Sequence, residues 1–550
     1  MNAVKSTGTS DVDDKSNMKE DLTGRDRMVW NVLTSWAGHM VFVIAGFVMP
    51  RMIDRHIGQT SLGIWDFSWS LVNYFGLAGL GIGSSVNRYV AKYRAVNDIE
   101  GLRKAVSSVW GIQLVVSFVM VLAAVTVAFF LPSWFKERLG AEMEIAQWVV
   151  VLLGLSLAVQ MAFDIFRGVM TGCHRWDLYN GLNAGSYALI VIAMVITLIK
   201  GNGLRSLSFI FLFGTILTEV ARAILAYRIC PEMKVHRKYI DWFQTKKMLA
   251  FGLKRVLVAI PSVIVFQGAS IFVVAHLGPA ALAVFSRPIA LVRHVEIFVS
   301  KLAVVLTPTT GSLQSSGRID DIRQLLTKTT RLTIFISLPV ILFLAILGDP
   351  ILSLWMGQRY EYGLILAILS VGCFLPIIQQ SILSILVGMN LHGRVWIMNF
   401  VLTMVSFGVG ILILEIVGWS LVGTAMIVAI SSCCGIGILV PVYACYKLQV
   451  PIQRFLKQVF LLPIACGMLF AFCLVTVRLL FGNRPLLAVV AGALSGGLIL
   501  GPLYWRYVVP SEVSVKILSF FRRRRWSQSS LENKIGQGVP FGKARDRSIE

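Results

Sequence analysis

The chain has 550 residues, is 56% hydrophobic and 14% charged, and carries 51 Lys and Arg against 28 Asp and Glu, a formal net charge of +23. An average soluble domain is about 45–50% apolar and about 25% charged, so these figures exclude a soluble enzyme, a disordered chain and a secreted disulfide scaffold. Apolar runs near the ~20 residues that cross a hydrocarbon core as a helix recur along nearly the whole chain, and the strand-length alternation of a β-barrel is absent.

In chain order, residues 1–28 are polar and of mixed charge, from Asp11 to Asp21. They lack the apolar core of a cleavable signal and read as a disordered cytoplasmic N-terminus. Six spans follow at 29–50, 61–85, 105–131, 146–170, 180–199 and 207–228, forming an N-lobe over 29–228. A cytoplasmic linker occupies 229–251. Six more spans, at 252–275, 282–306, 329–348, 362–388, 397–417 and 421–445, form a C-lobe over 252–445. Two additional spans at 458–481 and 485–507 precede a basic cytoplasmic tail over 508–550, which includes Arg522 to Arg525. Backbone polar groups in lipid must be satisfied within their own segment, so each span is a helix. Prolines such as Pro50, Pro261, Pro288 and Pro376 mark expected kinks. The fold class is an all-α integral membrane protein of about fourteen transmembrane helices.

Loop charges orient the chain. With both termini cytoplasmic, the inside segments hold 32 Lys and Arg and the outside loops hold 8 (Arg51, Arg55, Lys136, Arg138, Lys200, Arg205, Arg359, Arg484). This asymmetry accounts for most of the positive charge as topology and contact with anionic lipid. Nucleic-acid binding would need a basic soluble module, and none is present. The eight cysteines lie in or beside apolar runs without paired spacing, so they read as small buried hydrophobes rather than as disulfides or a metal site.

The chain contains an ungapped internal repeat. His56-Ile57-Gly58 with Leu62 matches His276-Leu277-Gly278 with Leu282, and in the same register Ile99, Leu102 and Arg103 match Ile319, Ile322 and Arg323. Six spans separate the copies. Six is even, so the copies insert the same way round, which predicts two parallel six-helix bundles related by an axis along the membrane normal, with spans 13 and 14 added.

No P-loop, HExxH or GxSxG is present, and no acid, base and metal-ligating residues cluster, so neither an enzyme nor a resident cofactor or metal is expected. The informative groups are ionisable side chains at mid-span, where they are costly. Span 8 carries Arg287, Arg293, His294, Glu296 and Lys301. At 100° per residue Arg287, His294 and Lys301 share one stripe, while Arg293 lies about 100° from His294 and reaches Glu296 at i,i+3. Lys254 and Arg255 begin span 7, and Arg88 and Lys92 follow span 2. The bland reading is an internal salt-bridge network. The functional reading is a cationic cavity for an anionic headgroup, favoured because span 8 holds three fixed cations and one acid. Asp164 with Arg167 and Glu219 with Arg222 read as local i,i+3 pairs. Asp66 and Glu415 stand alone near span ends. His39 reads as a packing histidine before a proton relay, and Trp65, Trp69, Trp134, Trp148 and Trp355 fit an interfacial belt.

Three stretches carry a resemblance. Leu62-Gly63-Ile64-Trp65 through Asn87-Arg88-Tyr89 to Tyr93, then Phe166-Arg167-Gly168-Val169 with Asn180, then Leu306-Thr307-Pro308 with Ile351 to Gly357 and Tyr360, resemble the bacterial O-antigen and exopolysaccharide flippases of the multidrug/oligosaccharidyl-lipid/polysaccharide exporter superfamily. The likeness covers about residues 28–510. It implies two lobes rocking about a central cavity and a polyprenyl-diphosphate-linked oligosaccharide as substrate. It also implies a bacterial inner-membrane location and a cation or potential gradient as driving force. Related lipid II flippases use cavity arginines on spans 1, 2 and 8. Here span 8 supplies Arg287 and Arg293, but span 1 offers only Arg51 at its outer end. The proton-coupled drug exporters keep an acid within span 1, which here holds His39 and no carboxylate.

The expected substrate-binding residues are therefore Arg287, Arg293, His294, Lys301, Lys254, Arg255 and Arg88, with Glu296, His39 and Asp66 as coupling or gating groups. Expected partners are the lipid-linked oligosaccharide and the bilayer, with a polysaccharide polymerase and glycosyltransferases as candidates. Two alternatives stand beside this reading: a small-molecule exporter of the same fold, and a non-transporting scaffold that recruits polymer-assembly enzymes through its tails.

Overall fold

The structure is a computed structural model that describes residues 25–77 and 82–508, with side chains for all of these except 25–33, 82–85, 88, 243–245, 247–259 and 392. The first set of helices is α1 (Arg25–Ile57), α2 (Gln59–Gly76), α3 (Ile82–Ala95), α4 (Ile99–Leu139), α5 (Met143–Gly172), α6 (Trp176–Ile199) and α7 (Leu204–Ile229). The second set is α8 (Trp242–Leu277), α9 (Pro279–Ala303), α10 (Leu306–Ser315), α11 (Ile319–Ile346), α12 (Gly348–Met356), α13 (Gly363–Ile378), α14 (Gln380–Gly388), α15 (His392–Val417), α16 (Leu421–Ser432) and α17 (Val440–Lys447). A π-helical stretch over Cys433–Leu439 joins α16 to α17, and α18 (Ile452–Phe481) and α19 (Pro485–Tyr507) close the order.

Among the described residues, eleven stretches are long and apolar enough to span a membrane. Two of them, Thr34–Gly76 and Ile99–Gly172, each contain two helices of membrane-crossing length, and α9 falls outside the set because every 18-residue stretch of it holds at least three charges. These helices coincide with the fourteen spans read from hydropathy. Hydropathy does not show the breaks between α9 and α10 and between α13 and α14. Large apolar side chains stand exposed on the outer faces (Phe118, Phe129, Leu189, Phe213, Leu412, Ile416, Phe472, Leu479), as a lipid solvent requires. The chain is a multi-pass membrane protein.

The repeat is visible in the backbone. Gly58 (φ 88°, ψ 167°) turns α1 into α2, and its counterpart Gly278 (φ 87°, ψ 170°) turns α8 into α9. Both sit where an L side chain would be strained. Arg103 Nε donates to the Glu232 carbonyl at 3.0 Å, and its counterpart Arg323 Nε donates to the Leu448 carbonyl at 2.7 Å. The left-handed residues His174 (φ 57°) and Asn390 (φ 56°) end equivalent helices.

The packing tells how the bundles meet. Where α2 and α9 begin, one apolar core runs through both, joining Ile53, Leu62, Phe67 and Leu131 to Val273, Leu282, Phe285 and Ile365. At the opposite end the core divides. Val90, Leu102, Val106 and Val169 pack within the first bundle, and Ile322, Leu326, Ile382 and Val440 within the second. The bundles are thus fused at one end and have separate cores at the other. Helices α18 and α19 pack on α11 and α12, through Leu347, Phe470, Leu474 and Leu500.

Candidate functional site

The fused end brings α1, α2, α9 and α12 together. Gly58 and Gly278 start α2 and α9 in matching directions, so Asp66 and Arg287, each a little over two turns further on, face each other across the seam. Arg287 Nη2 donates to Asp66 Oδ2, in an ion pair whose arginine is 4% exposed. Arg287 also lies 5.8 Å from the ring centre of Trp355 on α12. Trp355 is held in turn by its indole N–H, which donates to the Phe47 carbonyl at 2.7 Å. Arg51 Nη1 donates to the Leu354 and Trp355 carbonyls at 2.8 Å each, and Tyr360 Oη donates to Asp54 Oδ1 at 2.7 Å. The first bundle's α1 and α2 are therefore tied to the second bundle by an ion pair and by hydrogen bonds from long-range partners.

Further along α9 the seam is aromatic. His294 stacks on Phe47 at 5.9 Å, Phe298 packs edge-on against Trp36 at 5.3 Å, and Lys301 lies 5.9 Å from the Trp36 ring. His39 on α1 lies within electrostatic range of both Lys301 and His294. The heptad spacing of Arg287, His294 and Lys301 thus places all three toward α1, α2 and α12, as one helical stripe. Arg293 lies on another face. It pairs with Glu296 at 2.9 Å and covers Phe266 of α8 at 4.8 Å. Glu296 lines a 40 Å³ cavity inside the second bundle, with Phe266, Cys373, Asn399 and Thr403.

Several sequence expectations need correction. The three cations of span 8 are not all uncompensated: Asp66 neutralises Arg287 and Glu296 neutralises Arg293. Asp66 does not stand alone, because the turn at Gly278 brings Arg287 to it from the other bundle. Glu415 also has a neighbour, His276 Nε2 at 3.5 Å. Trp355 belongs to the seam rather than to an interfacial belt, and Trp65 packs on Trp69 at 6.3 Å, which packs on Phe211 at 5.2 Å. Trp134 and Trp148 are exposed. The side chains of Arg88, Lys254 and Arg255 lie outside the described residues.

Two polar atoms on the stripe have no partner although buried: Arg287 Nε and His294 Nδ1. A buried donor without an acceptor costs about 1–3 kcal/mol. These atoms are the seam's spare hydrogen-bonding capacity, and with Lys301 they suit a negatively charged group. No three His, Cys, Asp or Glu converge as a metal site among the described residues.

The i,i+3 pairs of the first bundle are present. Arg167 contacts Asp164 at 2.9 Å, and Arg222 Nη1 reaches both Glu219 oxygens at 2.6 Å. Arg222 also donates to Asn183 Oδ1 at 3.1 Å and lies 5.6 Å from the Tyr179 ring, so the pair ties α7 to α6.

Comparison with known proteins accords with this architecture. Residues 96–363 match the family model for polysaccharide biosynthesis proteins. A Shigella flexneri protein named for O-antigen transport is 18% identical over 348 residues, 63% of this chain and 80% of that protein. Among solved structures, the lipid II flippase MurJ in an inward closed conformation matches with a TM-score of 0.62 at 15% identity, covering 88% of this chain and all of MurJ. An inward-facing MATE multidrug transporter of the MOP superfamily matches at 0.59 and 15% identity, covering 75% of this chain and 95% of its own. The chain has the fold of the MOP-superfamily transporters. A MOP transporter from Pyrococcus furiosus, described as having a binding pocket of reversed polarity, matches at 0.57 and 14% identity, over 78% of this chain and 96% of its own.

Proposed function

We propose that this chain is a MOP-superfamily transporter that flips a polyprenyl-diphosphate-linked oligosaccharide across the bacterial cytoplasmic membrane by alternating access, for surface polysaccharide biosynthesis. Both termini face the cytoplasm, as the 32-to-8 bias of Lys and Arg supports. The fused end is then periplasmic, and the end with two separate cores is cytoplasmic.

The observation that carries this reading is Arg287: a buried guanidinium at the seam, with its one counter-charge supplied by the other bundle and its Nε unpartnered. Opening the periplasmic end separates Asp66 from Arg287. Removing one partner from a buried ion pair costs about 3–5 kcal/mol, so the opening is unfavourable unless another anion takes the place of Asp66. A diphosphate supplies that anion, and a guanidinium binds it in a bidentate fork. The polar passenger in turn needs such donors, because an ionised group in hydrocarbon is prohibitively costly. Asp66 therefore acts as a gate, and His294 and Lys301 extend the anion's path along the same stripe. Arg293, Lys254, Arg255 and Arg88 are further candidate contacts, with Glu296 and His39 as candidate coupling groups. No covalent step is required.

The test is complementation of a bacterium that lacks its own surface-polysaccharide flippase. Wild-type chain restores surface polymer, and Arg287→Gln at equal membrane abundance does not. Full polymer from Arg287→Gln refutes the proposal, and drug resistance without polymer points to the small-molecule exporter.

A further inference from the structure

Two cysteines from different helices meet at the end of the first bundle away from the fused seam. Cys173 caps α5 and Cys230 caps α7. Both are buried free thiols in the core that holds Val90, Leu102 and Val169, and the two thiols interact directly. Beside them lies a cavity of about 990 Å³, lined by Cys173, by Arg94, and by Pro231 and Glu232 just after Cys230.

The pair is polarised. Its contact with Cys230, and then the Arg94 guanidinium, hold the Cys173 thiol below the ordinary range. Cys230 lies between the Cys173 sulfur and the Glu232 carboxylate, 3.6 Å from the latter, and its S–H can donate to either. Its contact with Cys173 and its burial push the Cys230 thiol up. One sulfur is thus ready to ionise while its neighbour keeps its proton, which is the division of labour between an attacking and a resolving cysteine.

The repeat shows what packing alone asks of these positions. The matching helix ends of the second bundle are capped by Met389 and Leu448, both buried and neither a thiol. A buried apolar side chain therefore suffices to close such an end, and the thiol pair of the first bundle adds a chemistry that burial does not use.

We propose that Cys173 and Cys230 are a peroxide-responsive pair that closes to a reversible disulfide. The Cys173 thiolate attacks one oxygen of hydrogen peroxide: the S–O bond forms, the O–O bond breaks, and the departing hydroxide takes up the proton that Cys173 released. Cys230 then attacks the sulfenic sulfur: the S–S bond forms, the S–O bond breaks, and the Cys230 proton leaves with the hydroxyl as water. Two thiols are oxidised by two electrons, and one peroxide becomes two waters. With the termini cytoplasmic, the pair faces a compartment that keeps thiols reduced, where disulfides are transient and redox-sensing. Cys230 opens the segment that leads from α7 to α8, so the disulfide fastens the start of the connection between the bundles to the end of α5.

The test treats full-length protein in phosphatidylcholine vesicles with hydrogen peroxide, blocks the remaining thiols with iodoacetamide, and maps the products by non-reducing peptide mass spectrometry. Cys433, Cys434 and Cys473 are more exposed than the pair and serve as controls. The Cys173–Cys230 disulfide should form at least fivefold faster than any oxidation product at the controls, and dithiothreitol should reverse it. In Cys230→Ser, dimedone should capture a sulfenic acid on Cys173, whereas Cys173→Ser should give none on Cys230. Absence of the linked peptide, oxidation in order of exposure, or equal dimedone capture at Cys230 in Cys173→Ser overturns the proposal. The wild-type measurement needs no substitution, so it decides the matter even where a serine variant fails to fold.

Discussion

Gly63 of α2 lies against Pro279 at the first turn of α9, so closely that a Cβ at Gly63 would stand 1.8 Å from the Pro279 carbonyl oxygen. The obstacle is backbone and cannot rotate away. Nearby, Gln59 Nε2 donates to the Ala280 carbonyl at 3.3 Å. Gly63→Ala is therefore expected to wedge the fused end apart. With cysteines introduced by Gln59→Cys and Ala280→Cys, cross-linking across the seam should fall at least fivefold when Ala replaces Gly63. Unchanged cross-linking would show that the bundles do not depend on this approach.

The pair beneath that contact makes a second prediction. Asp66→Asn leaves Arg287 buried without a counter-charge and should destabilise the closed arrangement by about 3–5 kcal/mol. Replacing both partners by apolar residues, as in Asp66→Leu with Arg287→Met, removes the charge together with its partner and should recover most of that loss. Thermal unfolding of the purified protein reads both. The proposed function adds a contrast that stability alone does not predict: the double variant should remain stable yet fail to restore surface polymer. A double variant that exports polymer at the wild-type level would leave Arg287 with a purely structural role.

The membrane spans were legible in the sequence because hydropathy, summed over one bilayer-crossing length, is a local property. The internal repeat was legible because its turn glycines recur in register. The seam stripe of Arg287, His294 and Lys301 follows from helical periodicity alone. The partners of that stripe were not legible. Asp66 reaches Arg287 from the other bundle and Trp355 from three helices further along the chain, and no local pattern encodes such a meeting. The same limit explains why Trp355 looked like an interfacial residue. A tryptophan that holds a guanidinium and one that anchors at a membrane surface look alike until their neighbours are known. The helix breaks at Val304 and Gln379 leave hydropathy almost unchanged, so the apolar pattern does not show them.

The buried Glu219–Arg222 pair gives a third prediction, independent of the seam. Both residues are nearly inaccessible, at 2% and 6% exposure, and Arg222 Nε lacks an acceptor. Helices in lipid gain little from apolar contact with one another, so polar links between them matter. Glu219→Gln withdraws the charge that balances Arg222 and should lower the unfolding midpoint and membrane abundance severalfold, whereas Glu219→Gln with Arg222→Met should regain much of both. An unfolding midpoint for Glu219→Gln equal to wild type would mean that Asn183 and Tyr179 suffice to hold the guanidinium.

The repeat allows a fourth prediction that compares equivalent positions in the two bundles. A Cβ at Gly388 would lie 2.6 Å from the Thr307 carbonyl oxygen and 2.9 Å from Thr310 Cβ, while at Gly172 it would lie 2.8 Å from Val90 Cβ and 3.0 Å from the Asn87 carbonyl oxygen. Both glycines let a helix end approach its neighbour closely, and both lose that approach when changed to alanine. The difference lies in what the added methyl group meets first. At Gly388 it meets backbone, which moves only if α10 and α14 separate. At Gly172 it meets a side-chain carbon, and the backbone oxygen stands further off than its counterpart at Gly388. Overpacking of this kind costs about 1–3 kcal/mol, so Gly388→Ala should lower the unfolding midpoint more than Gly172→Ala, and both should lie below wild type. Finding Gly172→Ala the more damaging of the two would contradict the register on which the paired bundles are aligned.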